Sequence, residues 1–410
     1  MQKAIPEPLR QALAALDAEA MLATVRALCR PELGGRATGS PGQARARRWL
    51  MASLRRLGLR PELHRFQVRT RQSLGTATVV WTLLKGPARS LRRWVDFTEH
   101  PRSAPVPAPA RGPLKVWDGR TVPRDAWVLL SGGEVRRGEL LATLAAEGAL
   151  GVVVPRRAGP DGWLAKHVST GPVLPLPVLT VRADLAQHLT GGMLEVALPG
   201  STEQVVRGAN ILARFPGAIG EALVLIGAHY DGVGDDTDGT RFPGASDNAT
   251  GVAVVLEVAR ILARVGRPDG LQLAFVFFDA EELGARGSRS LARMLARSAP
   301  VRPGCLVQVI NVDTVARLRD AVWVEGGPGA DPLLAALDRA GRALDIPLQL
   351  GPVASDNRAF AAAGFPAVGI ATGGDRSHLP SDVPGVVEPE ALLTAARLLL
   401  GALWMLTDQT

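Results

Sequence analysis

Hydrophobic and polar positions follow two alternating patterns in the second half of the chain. Near-continuous apolar runs of strand length occur at ALVLIGAH (222–229), LQLAFVFF (271–278) and LVQVIN (306–311), whereas ATGVAVVLEVARILARV (249–265) repeats its apolar positions at helical spacing. Buried strands that alternate with helices are typical of a parallel sheet whose faces are both covered. We therefore predict an α/β fold with a mixed, mostly parallel sheet and helices on both faces.

The first hundred residues add helices and strands to this unit. Apolar spacing predicts helices over 8–30 and 41–58, because Pro41 suits a first helical turn and Gly58 is a plausible terminator. Strand-like runs follow at 62–84.

A change of composition then indicates a second unit. HPRSAPVPAPARGPL (100–114) is dense in proline and small residues, which favours a linker. Residues 115–200 read as a compact α/β unit without a catalytic constellation, and its His167 and His188 are interpreted as structural or surface residues. We predict three segments: 1–100 and 206–410 form one domain, and 101–205 is inserted between them.

Composition and charge narrow the classes of protein. The hydrophobic fraction of 47% argues against disorder, and no apolar run approaches the roughly 20 residues of a membrane span. The net charge of +8 is almost wholly arginine, but with one tyrosine a base-stacking surface is not expected. We predict no nucleic-acid partner and no membrane partner. The N-terminus is not typical of a secretory signal, so we expect either a cytoplasmic protein, as the sequence stands, or one whose original start has been removed.

Candidate metal ligands occur where the predicted strands end. Two of only six histidines and several carboxylates are found at these ends or at the start of a helix: His229 with Asp231, Asp247, Asp279 with Glu281 and Glu282, Asp313, and His378 with Asp382. Singly, each has a simpler explanation, such as a helix cap for Asp247 or an acidic first turn for Glu281 and Glu282. Together they predict one site, because ligands bind beyond the carboxyl ends of parallel strands.

The residue types suit a pair of zinc ions. Zinc accepts histidine nitrogen and carboxylate oxygen. Asp247 has two oxygens and can bridge two ions, while Glu281 and Glu282 offer one general base and one ligand. Asp231 can accept the remaining ring N–H of His229 and fix its orientation.

Several motifs resemble a known family. They are GRATGSPG (35–42), NILARFPG (210–217), GAHYD (227–231), PGASDNATGVAVVLE (243–257), FVFFDAEELGARGS (275–288), INVD (310–313), SDNRAFAAAGFPAVGI (355–370) and SHLPSD (377–382). As a set they resemble the two-zinc aminopeptidases of the secreted bacterial leucyl aminopeptidase type, whose relatives include glutamate carboxypeptidase. The segment 115–200 is more faintly similar to a protease-associated domain.

This resemblance implies a zinc-peptidase, phosphorylase/hydrolase-like fold and a role for each matching residue. Asp247 would bridge two Zn2+ ions, with His229 and Asp313 on one, and Glu282 and His378 on the other. The general base would be Glu281, with Asp231 beside His229. The implied activity is the hydrolysis of N-terminal residues of peptides, with Co2+ or Mn2+ as alternative metals.

The chain also departs from the family, and other functions stay open. Many relatives have histidine where Asn357 stands and tyrosine where Ser377 stands. A carboxypeptidase or dipeptidase on the same site would need a cationic clamp such as Arg317, Arg358 or Arg376. A glutaminyl-cyclase-like acyltransferase with one zinc and a non-enzymatic binding protein are the remaining alternatives. Neither the preferred N-terminal residue nor the oligomeric state is predicted.

Overall fold

The computed structural model describes residues 5–83, 86–130, 138–215, 222–298 and 307–407. The strands in this part of the chain are β1 (Arg60–Ser73), β2 (Thr78–Thr82), β3 (Ala88–Ser90), β4 (Phe97–Glu99), β5 (Val106–Val116), β6 (Trp127–Leu129), β7 (Gly151–Arg156), β8 (Val178–Arg182), β9 (Met193–Leu198), β10 (Ser201–Arg214), β11 (Ala222–His229), β12 (Leu271–Phe278), β13 (Val307–Val312), β14 (Val322–Gly326), β15 (Leu348–Leu350) and β16 (Ala367–Ala371).

The α-helices are α1 (Glu7–Ala14), α2 (Ala18–Leu28), α3 (Pro41–Arg56), α4 (Gly138–Ala146), α5 (Ala183–Ala186), α6 (Thr250–Val265), α7 (Arg286–Ser298), α8 (Asp331–Leu344), α9 (Asp356–Ala361) and α10 (Pro389–Thr407). The segment predicted as helical over 8–30 thus forms two helices. They are separated at Asp17, whose carboxylate accepts the backbone N–H groups of Glu19 and Ala20 and so starts α2.

The main sheet is mixed, as predicted. Its strand order is β1-β10-β12-β11-β13-β16-β14-β15, and the four central strands β12, β11, β13 and β16 are parallel. Antiparallel pairs flank this centre on both sides, β10 against β12 and β14 against β16. The carboxyl ends of β11, β12 and β13 therefore lie side by side at one edge of the sheet.

Helices cover both faces of the main sheet, which confirms the predicted layers. On one face, buried residues of α2, α6, α8 and α10 pack against Val224 and Ile226 of β11. On the other face, Leu291 of α7 and Phe360 of α9 pack against Leu225 of β11. Because every central strand is buried on two sides, these strands are apolar at consecutive positions rather than at alternate ones.

Helix α10 is 19 residues long and apolar enough, by length and composition alone, to cross a membrane. However, 72% of its apolar window is buried inside the protein, where it packs against α6 and α8. Burial in the core accounts for its apolar composition.

The second sheet comprises β2 to β9 in the order β3-β2-β9-β5-β6-β7-β8-β4. It begins at Thr78 and ends at Leu198, so its first three strands precede the predicted boundary at residue 101. The prediction of a linker over 100–114 is wrong, because most of this segment lies in β5. Prolines are tolerated there because the register with β9 shifts between Val106 and Ala110, and only Leu114–Val116 also pairs with β6. The comparison with a protease-associated domain stays a prediction.

Gly251, at the start of α6, allows the close approach of three segments around Asp313. A Cβ atom at this position would lie 2.4 Å from the backbone oxygen of Val312 and 2.4 Å from the side-chain oxygen of Asn248. The absence of a side chain at residue 251 thus lets α6 begin directly against the end of β13.

We predict that Gly251→Ala lowers the free energy of unfolding by about 1–3 kcal/mol, as expected for overpacking. Gly385→Ala is the matched control, because a Cβ there would meet no atom within 4 Å. Urea unfolding of both variants measures the difference, and equal stabilities would contradict the packing described here.

Candidate metal centre

The first group of candidate ligands forms around His229, the last residue of β11. Its Nε2 atom lies 3.2 Å from Oδ1 of Asp247 and 3.5 Å from Oδ1 of Asp313. Asp313 directly follows β13, the neighbour of β11, so two adjacent parallel strands deliver these two side chains. The position of Asp313 is thus a consequence of the sheet order.

The second group forms on the other oxygen of Asp247. Nε2 of His378 lies 3.3 Å from Oδ2 of Asp247 and 2.9 Å from Oε2 of Glu282. Glu282 follows β12, which is the other neighbour of β11. The two carboxylate oxygens of Asp247 therefore face two different sets of side chains.

The five side chains fit metal ions. In each group one ligand atom per residue can be chosen such that all lie within 4.8 Å of one another. Nε2 of His229 and Oε1 of Glu282 are buried, without a hydrogen-bond partner among the described residues. Buried polar atoms without a partner are costly, and a cation bound between these histidine and carboxylate groups would satisfy them.

The pKa shifts of the two histidines also favour a bound cation. Burial alone would lower the pKa of His229, but the carboxylate of Asp313, followed by those of Asp231 and Asp247, raises that pKa well above its ordinary value. Glu282 and Asp247 act in the same way on the pKa of His378. A concentration of negative charge that favours a proton on each imidazole also favours a metal cation in its place.

Glu281 belongs to neither of the two groups of candidate metal ligands. Its carboxyl is largely buried, and burial raises its pKa well above the ordinary range; the nearby carboxylates of Asp356, Glu282 and Asp313 raise it further. A raised pKa makes this carboxylate a stronger base than an ordinary glutamate, which suits proton transfer.

Asp231 orients two parts of the site. Its Oδ1 lies 3.4 Å from Nδ1 of His229. The same carboxylate accepts the backbone N–H of Glu281 at 3.1 Å and that of Glu282 at 3.3 Å. The structure therefore places Asp231 beside the His229 ring and links it to the Glu281–Glu282 turn.

Asp382 supports the loop that carries Asp247. Its buried carboxylate accepts the backbone N–H of Ser246 at 2.8 Å, the Ser246 hydroxyl, and the backbone N–H of Asp247 at 3.2 Å. The N-cap position of α6 is Ala249 rather than Asp247, and the side-chain oxygen of Asn248 accepts the backbone N–H of Gly251. Likewise, α7 begins only at Arg286, so Glu281 and Glu282 are not its first turn.

Arg36 is a supporting residue that sequence reasoning did not identify. Its side chain is fully buried and donates to four backbone carbonyls, at Leu28, Tyr230, Pro243 and Gly244. The last three carbonyls belong to the segments that bear Asp231 and Asp247. The only sequence signal was its place in the motif GRATGSPG, which reveals nothing about its partners.

Left-handed backbone conformations cluster at the site. Ala280, Thr314 and His378 have φ angles of 59°, 54° and 64°. These residues precede Glu281, follow Asp313, and supply one of the candidate ligands itself. Such conformations are unfavourable for residues other than glycine and persist where the surroundings enforce them, often at functional sites.

Two further residues discussed from the sequence, Asn357 and His167, have neighbours that the sequence did not indicate. The Asn357 amide donates to Oε2 of Glu325 at 3.3 Å. His167, interpreted from the sequence as structural or surface, lies with its ring centroid 6.0 Å from that of His378. The sequence around His167 did not indicate this proximity, because His378 lies more than two hundred residues further along the chain.

The fold and the site define an α/β protein with a histidine–carboxylate cluster at the carboxyl ends of its parallel strands. Residues 210–403 match the sequence model of peptidase family M28. Over these residues the chain is similar to this family.

Curated relatives align with part of the chain, and a solved structure shares its fold. The chain is 29% identical over 178 residues to leupeptin-inactivating enzyme 1 of Streptomyces exfoliatus, covering 42% of this chain and 38% of that protein. It is 26% identical over 259 residues to aminopeptidase YwaD of Bacillus subtilis, covering 62% of this chain and 53% of the relative. The alignments thus span about two fifths to one half of these relatives' own lengths. BSAP, a zinc aminopeptidase from Bacillus subtilis, shares the fold with a TM-score of 0.70 at 20% identity, over 95% of this chain and 94% of that one.

We predict that Asp382→Asn weakens metal binding about 10- to 100-fold, the usual effect of losing a residue that orients a ligand. The reason is that an amide cannot accept all the donors of the Ser246–Asp247 segment as the carboxylate does. Competition with a chelator measures the affinity, and Asp338→Asn on the exposed face of α8 is the control. Unchanged affinity in Asp382→Asn would show that this carboxylate does not position Asp247.

Proposed function

We propose that the protein is a zinc-dependent exopeptidase with two metal ions, and that it acts as an aminopeptidase on peptides. The family and the names of its relatives support metallopeptidase activity on peptide bonds. Co2+ or Mn2+ can replace zinc in a site of nitrogen and oxygen ligands, since selectivity depends on geometry and supply.

The observation that carries the two-metal proposal is the position of Asp247. One of its oxygens faces His229, and the other faces His378. A carboxylate that serves one ion has no need of a second complete set of ligands on its other oxygen. In this arrangement His229 and Asp313 would hold one ion, Glu282 and His378 would hold the other, and Asp247 would contribute to both.

The chain's own residues then have distinct tasks. When bound, the ions supply Lewis-acid polarisation of the scissile carbonyl and activation of a water molecule. Glu281 removes a proton from that water and later gives the proton to the leaving amine, a step for which its raised pKa suits it. Asp231 holds the His229 ring and the Glu281 backbone in place while this happens.

A carboxypeptidase or dipeptidase needs a cation for the substrate's terminal carboxylate, and the three arginines considered for that role are paired. Arg358 lies 2.9 Å from Glu325, Arg317 lies 3.4 Å from Asp375, and Arg376 lies 2.7 Å from Asp161. Recruiting any of them as a clamp would first break an ion pair. These contacts favour the aminopeptidase.

We predict that the purified protein binds about two zinc ions per chain and hydrolyses aminoacyl anilides with release of the arylamine. A chelator should abolish this release. Metal analysis and a panel of anilides test both points. The panel includes a free dipeptide and its amide, because an aminopeptidase cleaves both. Cleavage of the free dipeptide alone would contradict aminopeptidase activity. A purified protein that holds no metal and cleaves none of the substrates would contradict the proposal that it is a metalloenzyme.

We predict that Glu281→Gln lowers kcat about 10²- to 10⁴-fold at unchanged metal content, because the amide cannot accept the proton. The matched control is Glu147→Gln, on the exposed surface of the second unit. Retention of full activity in Glu281→Gln would rule out Glu281 as the general base.

A further inference from the structure

A segment of the second unit reaches across to the candidate metal ligands. The backbone N–H of Lys166 donates to the carbonyl of His378 at 2.9 Å. The Asp161–Arg376 ion pair forms a second connection at 2.7 Å. At Gly159 a Cβ atom would lie 2.3 Å from the Leu379 side chain, so this glycine permits a third close contact. Residues 159–168 are thus fixed against the loop that carries His378.

His167 lies at the end of this fixed segment and is exposed. Its ring meets the ring of His378 edge to face, with centroids 6.0 Å apart and planes at 76°. It also lines a cavity of about 570 Å3 between the two sheets. Thr38 lines the same cavity, and its hydroxyl lies 3.4 Å from Oδ2 of Asp231. His167 therefore both lines this cavity and lies beside a candidate ligand, although none of the five candidate ligands lines the cavity itself.

Among the described residues, the ion-pair partners of His378 offer no hydrogen-bond donor, whereas the His167 ring carries one. These partners, Asp247 and Glu282, are carboxylates and can only accept hydrogen bonds. Hydrolysis of an amide places a growing negative charge on the carbonyl oxygen, and donors aimed at that oxygen are a large source of rate. The imidazole of His167 carries an N–H donor in either protonation state.

We propose that His167, contributed by the second unit, contacts the substrate at the metal centre and donates a hydrogen bond to its carbonyl oxygen. The inference rests on the proposed peptidase function. It makes the second unit a part of the active site and His167 a catalytic residue of the reaction.

The test compares His167→Ala, His167→Gln and the control His188→Ala. His188 belongs to the same unit, but it is exposed, and its ring is hydrogen-bonded to the backbone carbonyl of Asp184. Three quantities are measured on each zinc-loaded protein: zinc content, kcat on an aminoacyl anilide, and affinity for a dipeptide phosphonate. The phosphonate resembles the tetrahedral intermediate and is not cleaved, so its affinity is a readout independent of turnover.

For His167→Ala we expect kcat and phosphonate affinity to fall together, by about 100-fold, at unchanged zinc content. His167→Gln retains an N–H donor and should recover part of both losses, and His188→Ala should match the wild type. Unchanged kcat and affinity in His167→Ala would overturn the inference, as would a loss of zinc, which would make His167 a metal ligand. A wild-type protein that neither binds the phosphonate nor cleaves the anilide would contradict the proposed function itself, and the inference with it.

Discussion

The negative charge collected at one edge of the main sheet is the constraint on which the site depends. Asp247, Glu282 and Asp313 lie with two histidines in groups a few ångströms across, and Asp231 and Glu281 are close behind them. Carboxylates at this spacing in a buried place repel one another and lose hydration, so they are stable only with compensating positive charge. The raised pKa values of both histidines show the strength of this demand.

The surrounding structure holds these charges in place through the backbone. Asp231 accepts two N–H groups of the Glu281–Glu282 turn, and Asp382 accepts those of Ser246 and Asp247. The fully buried Arg36 guanidinium acts in the opposite sense by donating to backbone carbonyls. Anions bonded to N–H groups and a cation bonded to carbonyls together fix the loops, and they leave the ligand atoms themselves free for a metal.

Much of this arrangement could be predicted from the sequence because it follows from strand order. In a parallel sheet, His229, Glu282 and Asp313 come after neighbouring strands, so their proximity is a consequence of the apolar runs before them. The contribution of Arg36 could not be predicted, because its partners are carbonyl groups that any residue provides. His167 escaped notice because its position depends on how the second unit packs against the first. The strand β5 was mistaken for a linker because it is rich in proline, and two of its prolines, Pro107 and Pro109, fall where the pairing with β9 is irregular.

The central claim is that Asp247 divides the cluster into two metal sites. Anomalous diffraction at the zinc edge from crystals of the zinc-loaded protein tests it most directly. We expect two peaks, one between Asp247, His229 and Asp313, and the other between Asp247, Glu282 and His378. A single peak, or peaks away from Asp247, would contradict it.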